Sequence, residues 1–203
     1  ICLLVRHGEN DFVKEGRLAG RLPDVHLNEK GRAQAQAVAD LLADKKIQAI
    51  YSSPLERTLE TAEPLAAKKG IPLIRSEGLV EVDFGEWQGQ RLKPLSRLKL
   101  WRVVQGAPSL MQFPGGETFV QAQHRICQEL EQLAAAHKEK DVFVCFTHSD
   151  VIKLAVAFYL GLPLDLFQRL HVSPGSITSL SFGEVGRRLI SLNYEPIFNI
   201  PKG

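Results

Sequence analysis

The sequence predicts an α/β fold: a mostly parallel central sheet with helices on both faces, a three-layer α/β/α arrangement, carrying an inserted small helical cap. Three observations lead there. Strand-like apolar runs alternate with helical stretches along most of the chain, the pattern of βα units. Several of the helical stretches carry their own start and stop residues. Residues 85–140 break the alternation with helical texture interrupted by Gly and Pro.

The strand-like runs fall at 1–5, 49–51, 73–74, 142–146, 177–182 and 189–193. Asn28 can N-cap a helix running through Asp44, with Ala33, Ala37 and Leu41 on one stripe and Val38 and Leu42 beside it. Ser53-Pro54 reads as N-cap and first residue of a helix toward Lys69. Pro64 is expected to kink or restart that helix and Gly70 to end it. A further helix runs from Asp150 to Leu160, closed by Gly161 and followed by Pro163. Within one domain spanning 1–203, residues 85–140 read as a cap-like insertion of short helices, punctuated by Gly106-Ala107-Pro108 and Pro114-Gly115-Gly116. Arg91, Lys93, Arg97, Lys99 and Arg102 make the insertion locally basic. Most of them are expected on a solvated face, with one or two left to lean over an anionic substrate.

Composition narrows the partners. With 44% hydrophobic and 24% charged residues the chain is an ordinary soluble domain. A net charge of +2 is too mild to argue for nucleic acid and suits a small anionic ligand equally well. The apolar stretches at 142–146 and 151–162 fall short of the ~20 residues a membrane helix needs, so no membrane partner is expected. Cys2, Cys127 and Cys145 are odd in number and widely spaced; they read as buried, reduced thiols in a cytoplasmic protein, without metal-ligand spacing. Homodimerisation stays open.

Chemistry enters at Arg6-His7-Gly8-Glu9, directly after the first strand run. A guanidinium suits a phosphate dianion bidentately. An imidazole is nucleophilic when neutral near pH 7. Gly8 lacks the Cβ that would crowd a ligand approaching the backbone. Four further pieces follow. Residues 27–35 (Leu-Asn-Glu-Lys-Gly-Arg-Ala-Gln-Ala) open a helix. Ser52-Ser53-Pro54-Leu55-Glu56-Arg57-Thr58 with Thr61-Ala62 sets an arginine in a first helical turn, where the dipole favours an anion. Residues 81–89 (Glu-Val-Asp-Phe-Gly-Glu-Trp-Gln-Gly) form a carboxylate-rich segment, and Phe146-Thr147-His148-Ser149 puts an imidazole at a strand end.

Taken in order, these pieces resemble the histidine phosphatase superfamily, the phosphoglycerate-mutase-like proteins, from the first strand to about Phe182. The resemblance implies that His7 attacks phosphorus in line to form a phosphohistidine, that Arg6 and Arg57 clamp the non-bridging oxygens and that His148 donates a further hydrogen bond. It makes Glu81 the acid that protonates the leaving alkoxide and later the base that activates water. Asp83 and Glu86 compete for that role; Glu81 is preferred because it holds the family's acid position. Asn10, Gly20 and Ser149 join Arg6, Arg57, Glu81 and His148 as expected substrate-binding residues. No cofactor and no metal is expected, since two arginines and two histidines meet the phosphate charge. His26, His124, His137 and His171 lie outside the motifs and read as surface or core, and Gly115-Gly116-Glu117 reads as structural.

One departure bears on substrate. The family's opening often carries a hydroxyl residue after Arg-His-Gly-Glu, then an aromatic and an Asn that touches phosphate; this chain has Asn10, Phe12 and Val13 there. Val13 cannot hydrogen-bond through its side chain, and Asn10 is the available substitute. The resulting expectation is a metal-independent phosphatase acting on a small phosphorylated metabolite. A phosphoglycerate-type mutase is the alternative, disfavoured by the few residues after the last strand to form a closing tail. An inactive phospho-ligand-binding or regulatory module is the third reading, disfavoured because His7, Arg57 and His148 are all present.

Overall fold

Apolar residues fill both sides of the first strand, so that Cys2 and Leu4 face one layer while Leu3 and Val5 face the other. The computed structural model, which describes residues 1–196, uses both sides. Its strands are β1 (Cys2–Arg6), β2 (Ala49–Ser52), β3 (Leu73–Arg75), β4 (Phe143–Thr147), β5 (Ile177–Gly183) and β6 (Gly186–Tyr194). They form one sheet in the order β3-β2-β4-β1-β5-β6. The first four are mutually parallel, and β5 and β6 add antiparallel to β1. All six expected strands are present, each within a few residues of its expected bounds.

Seven α-helices occur among the described residues: α1 (Asp11–Lys14), α2 (Glu29–Leu41), α3 (Glu56–Lys69), α4 (Leu92–Leu95), α5 (Lys99–Gly106), α6 (Phe119–Ala135) and α7 (Ser149–Tyr159). On one face of the sheet Val38 of α2 and Ala62 and Leu65 of α3 pack with Val5, Val144 and Phe146. On the other, Ile126 and Leu130 of α6 and Ile152 and Val156 of α7 pack with Leu4, Phe143 and Cys145. Each fully buried aliphatic side chain is worth about 1.5–3 kcal/mol relative to exposure, so both layers contribute to holding the strand ends in place. Cys2, Cys127 and Cys145 are free and buried. No helix among the described residues is long and apolar enough to cross a membrane.

Several local expectations are corrected. Asn28 caps α2 through its side chain, which accepts from Gly31 N–H, yet the buried stripe is Ala35, Val38, Ala39 and Leu42, with Ala33 and Leu41 exposed. The rotation is set by Gly31: a Cβ there would lie 2.0 Å from the carbonyl oxygen of Glu9, so this position must face the main chain that follows β1, and 35, 38 and 42 follow it at helical spacing. Helix α3 begins at Glu56 with Leu55 as N-cap, two residues later than Ser53-Pro54 suggested, because the Ser53 side chain is engaged elsewhere. Pro64 sits inside that helix without breaking it, between buried Ala62 and Leu65, and Gly70 ends it with φ +62°. Helix α7 starts at Ser149, with His148 at the N-cap.

Residues 85–140 begin as short pieces: a 3-10 turn at Gly85–Trp87, then α4, α5 and a second 3-10 turn at Pro108–Leu110. From Phe119 onward the texture changes to the 17-residue α6, opened by a capping box between Thr118 and Gln121. Its Phe119, Ala122, Ile126 and Leu130 are buried in the core beside α7. Arg91, Lys93, Arg97, Lys99 and Arg102 are all exposed. The tail after β6, expected to be too short for closure, lies from 197 onward outside the described residues.

Candidate active site

Parallel register brings the two key histidines together. Arg6 at the end of β1 pairs with Thr147 at the end of β4, so His7 and His148 leave adjacent strands side by side, with ring centroids 5.3 Å apart. Both lie at the carboxyl edge of the parallel strands, where such sheets bind ligands. The first turn after β1 is held tightly: Gly8 N–H donates to Thr61 Oγ1 at 3.0 Å. A Cβ on Gly8 would meet the Gly31 carbonyl oxygen at 2.5 Å. The glycine thus makes room for the N-terminus of α2 and not, as expected, for a ligand.

His7 Nδ1 lies 2.7 Å from the carbonyl oxygen of its neighbour Gly8. A carbonyl can only accept, so Nδ1 carries the proton and Nε2 keeps its lone pair. Burial, reinforced by the charges of Arg57 and Arg6, holds the pKa of His7 well below its usual value. His7 is a neutral imidazole whose basic nitrogen is left for the cleft.

That cleft, of about 370 Å³, has a polar floor of Arg6, His7, Asn10, Gly20, Arg57 and Glu81, with Ser149 beside them. Arg57 is 1% exposed. Its Nη2 donates to the Gly20 carbonyl at 2.6 Å and stands 3.3 Å from His148 Nδ1. Burial lowers its pKa to about 10, Glu81 and Glu56 opposing the shift, which leaves it charged at neutral pH. Arg6 Nη1 donates to the Val172 carbonyl at 2.7 Å. Arg6 Nε, Arg57 Nε, Arg57 Nη1 and Asn10 Nδ2 are buried with no partner among the described residues. Unpaired buried donors of this kind are costly unless something accepts from them; four on three residues of one cleft floor describe an oxyanion site. Asn10 uses its Oδ1 to cap α1 at Val13 N–H, so only its amide nitrogen is spare. Ser149 adds the N-terminal turn of α7, an 11-residue helix whose dipole favours an anion.

Glu81 is 8% exposed at the cleft floor. Burial and the nearby Asp150 raise its pKa to about 7, against the opposing charges of Arg57 and Arg6. A carboxyl group poised near neutrality can give and take a proton in one turnover. Asp83 and Glu86 do not line this cleft: Asp83 accepts from Gly85 N–H, and Glu86 is exposed. His148 is fully buried, with Nε2 2.8 Å from Ser53 Oγ and Nδ1 3.9 Å from Glu81 Oε2. It stands against Arg57 and Glu81 and is absent from the cleft wall.

Sequence reasoning missed a brace behind Glu81. Arg21 Nε donates to the Glu81 carbonyl at 2.8 Å, and Arg125 Nη1 to the Val80 carbonyl at 2.8 Å. Glu117 Oε1 accepts from both arginines, at 2.9 and 2.8 Å, and from Asp83 N–H at 3.0 Å. Three residues distant in sequence thus clamp the main chain that carries the acid. In the sequence Glu117 marks only a loop and helix start, and nothing in the spacing of Arg21 or Arg125 marks them. Ser53 likewise has the sequence signature of a cap, while its hydroxyl meets His148. Among the other histidines, His26, His124 and His171 are exposed, while His137 stacks on Phe143 at 4.7 Å between centroids.

Four parallel strands whose carboxyl edge presents a neutral histidine, the buried Arg57 beside the half-buried Arg6 and a carboxylic acid poised near neutrality define a phosphoryl-transfer site of the histidine phosphatase type. The chain belongs to the histidine phosphatase superfamily (branch 1), which it matches over residues 2–195. It is 29% identical over 193 residues to phosphoserine phosphatase 1 of Hydrogenobacter thermophilus, covering 94% of this chain and 90% of the relative. It is 27% identical over 189 residues to the 2,3-bisphosphoglycerate-dependent phosphoglycerate mutase of Thermoplasma acidophilum, covering 93% and 90%. Among solved structures, a mycobacterial glucosyl-3-phosphoglycerate phosphatase in complex with VO3 superposes with a TM-score of 0.86 at 28% identity, covering 96% of this chain and 98% of that one.

Proposed function

We propose that this protein is a metal-independent phosphatase that hydrolyses a small phosphomonoester through a phosphohistidine at His7. The observation that carries the reading is the His7–Gly8 contact at 2.7 Å, which leaves Nε2 as a nucleophile beside the unpartnered nitrogens of Arg6, Arg57 and Asn10. In the first step His7 Nε2 bonds to phosphorus as the bond to the leaving oxygen breaks, and protonated Glu81 gives its proton to the departing alkoxide. In the second, Glu81 as carboxylate takes a proton from water, whose oxygen bonds to phosphorus as the phosphorus–nitrogen bond breaks. Free phosphate leaves, and Glu81 is again protonated.

Phosphoryl transfer needs mainly position and charge neutralisation, and fixed guanidinium groups supply both. Arg6 and Arg57 meet the non-bridging oxygens with their spare nitrogens, and Asn10 adds an amide donor where Val13 offers none. His148, anchored by Ser53, positions Arg57 and Glu81. The cytoplasm is the compartment this reading favours, in keeping with three unpaired, buried thiols. The test is a panel of phosphorylated metabolites with free phosphate and isomerised ester measured together. Phosphate release in step with ester consumption is the expected result; an isomerised ester without phosphate release would make the protein a mutase.

A further inference from the structure

Above its polar floor the cleft changes character. Val13, Leu18, Leu92, Trp101, Val104 and Phe113 line the outer part, with Gln105 and Gln168 as its uncharged polar side chains. Leu92 and Trp101, from the short helices α4 and α5, are half-buried. Trp101 stacks on Trp87 with centroids 6.1 Å apart and planes 21° apart, and Trp87 meets Phe113 edge-on at 5.4 Å. A stacked aromatic pair locked from behind gives a flat, firm surface.

Charge is scarce in this outer part. Arg17 and Asp150 are the charged residues of the cleft lining beyond the floor. The Arg17 guanidinium lies 4.2 Å over the Phe12 ring, its Nε donates to the Gly89 carbonyl at 3.1 Å, and Nη1 is 3.6 Å from Glu15. Asp150 pairs with Lys153 Nζ at 2.6 Å. None of Arg91, Lys93, Arg97, Lys99 and Arg102 lines the cleft. A carboxylate on the leaving alcohol would therefore meet Asp150 on the same wall and a single cation, Arg17, already shared with the Gly89 carbonyl and Glu15. An apolar ring would instead cover Leu92 and Trp101.

We infer that the substrate is the phosphate monoester of an apolar, ring-bearing alcohol and not a phosphorylated carboxylic acid. The inference rests on the phosphatase reading and adds the leaving-group chemistry to it. It separates this chain from relatives named for phosphoserine and phosphoglycerate, whose esters carry a second anionic group.

The test compares 2-phenylethyl phosphate, ethyl phosphate, phosphoserine and 3-phosphoglycerate on the full chain. The first two release alkoxides of similar basicity, so their difference reports the wall and not the chemistry. 2-Phenylethyl phosphate is expected to exceed ethyl phosphate in kcat/KM by about ten- to a hundredfold, the range for burying an aromatic group, and to exceed both carboxylate esters. In Trp101→Ala and Leu92→Lys the ratio of 2-phenylethyl to ethyl phosphate should collapse toward one. That ratio does not depend on the fraction of enzyme folded, so misfolding cannot mimic the result. Preference for phosphoserine or 3-phosphoglycerate, or an unchanged ratio in both variants, overturns the inference. Release of free phosphate from any of the esters keeps the phosphatase reading standing in that case; hydrolysis of none of them overturns both.

Discussion

Arg57 and His148 meet at 3.3 Å, Nη2 to Nδ1, although they are 91 residues apart in the chain. The same Nη2 donates to the Gly20 carbonyl at 2.6 Å. One nitrogen of the fork is thereby used for positioning while Nε and Nη1 have no partner among the described residues. A planar fork can do both at once; a single ammonium cannot.

Arg57→Ala should therefore lower turnover by about a hundredfold to a thousandfold, or about 3–4 kcal/mol of transition-state stabilisation. Arg57→Lys should recover only part of it, since Nζ can take either the Gly20 carbonyl or the phosphate. Steady-state kinetics on both variants decide this, and near-normal turnover in Arg57→Ala would make the residue a structural one.

The acid role of Glu81 has a leaving-group signature. Glu81→Gln should slow phosphorylation of the enzyme by an alkyl phosphate far more than by nitrophenyl phosphate, whose phenolate departs without a proton. Under multiple-turnover conditions the nitrophenyl reaction should show a pre-steady-state burst, because breakdown of the phosphoenzyme still needs a base. Single-turnover measurements separate the steps; equal losses on both esters would leave Glu81 a positioning group only.

The pH profile follows from the same residue. Glu81 must be protonated for the first step, and its pKa is raised to about 7 by burial and Asp150. Single-turnover phosphorylation by an alkyl ester should thus fall as pH rises through about 7, while the nitrophenyl reaction shows no such alkaline limb. His7, held well below its usual pKa, stays neutral through this range and adds no limb of its own. An alkaline limb of equal size on both esters would assign it to another group.

The brace behind Glu81 predicts a selective defect. Glu117→Gln removes the charge that Arg21 and Arg125 share while keeping an oxygen to accept from them. It is expected to shift the Glu81-dependent limb and lower turnover of alkyl esters more than of nitrophenyl phosphate. A uniform loss on both, tracking the amount of folded protein, would leave the brace with a purely structural role.

Much of this fold was legible because each strand carries its own apolar run and the motif histidines fall just after strand ends. What escaped was set by long-range packing. The rotation of α2 is fixed by the close passage of Gly31 across the main chain at Glu9, which outweighs the apolar count of Ala33, Ala37 and Leu41. The start of α3 moved because Ser53 serves His148 and does not cap the helix. Arg21, Arg125 and Glu117 are ordinary in sequence; only the fold brings their side chains to the Glu81 segment. The residues at the cleft floor were readable as an ordered set, whereas the apolar outer wall depends on how α4 and α5 lie over it.

Charge neutralisation by side chains predicts a reaction indifferent to chelators. Initial rates with and without EDTA should agree; strong inhibition, relieved by a divalent cation, would mean that the arginines do not carry the phosphate charge alone.

The phosphohistidine itself is the most direct test. Incubation with an ester labelled in its phosphate, followed by an alkaline quench, should leave label on the protein that survives base and is lost in acid, and peptide mapping should place it on His7. The label should be absent in His7→Ala. Label that persists in that variant, or labelling that is stable to acid, would put the nucleophile elsewhere and contradict the account.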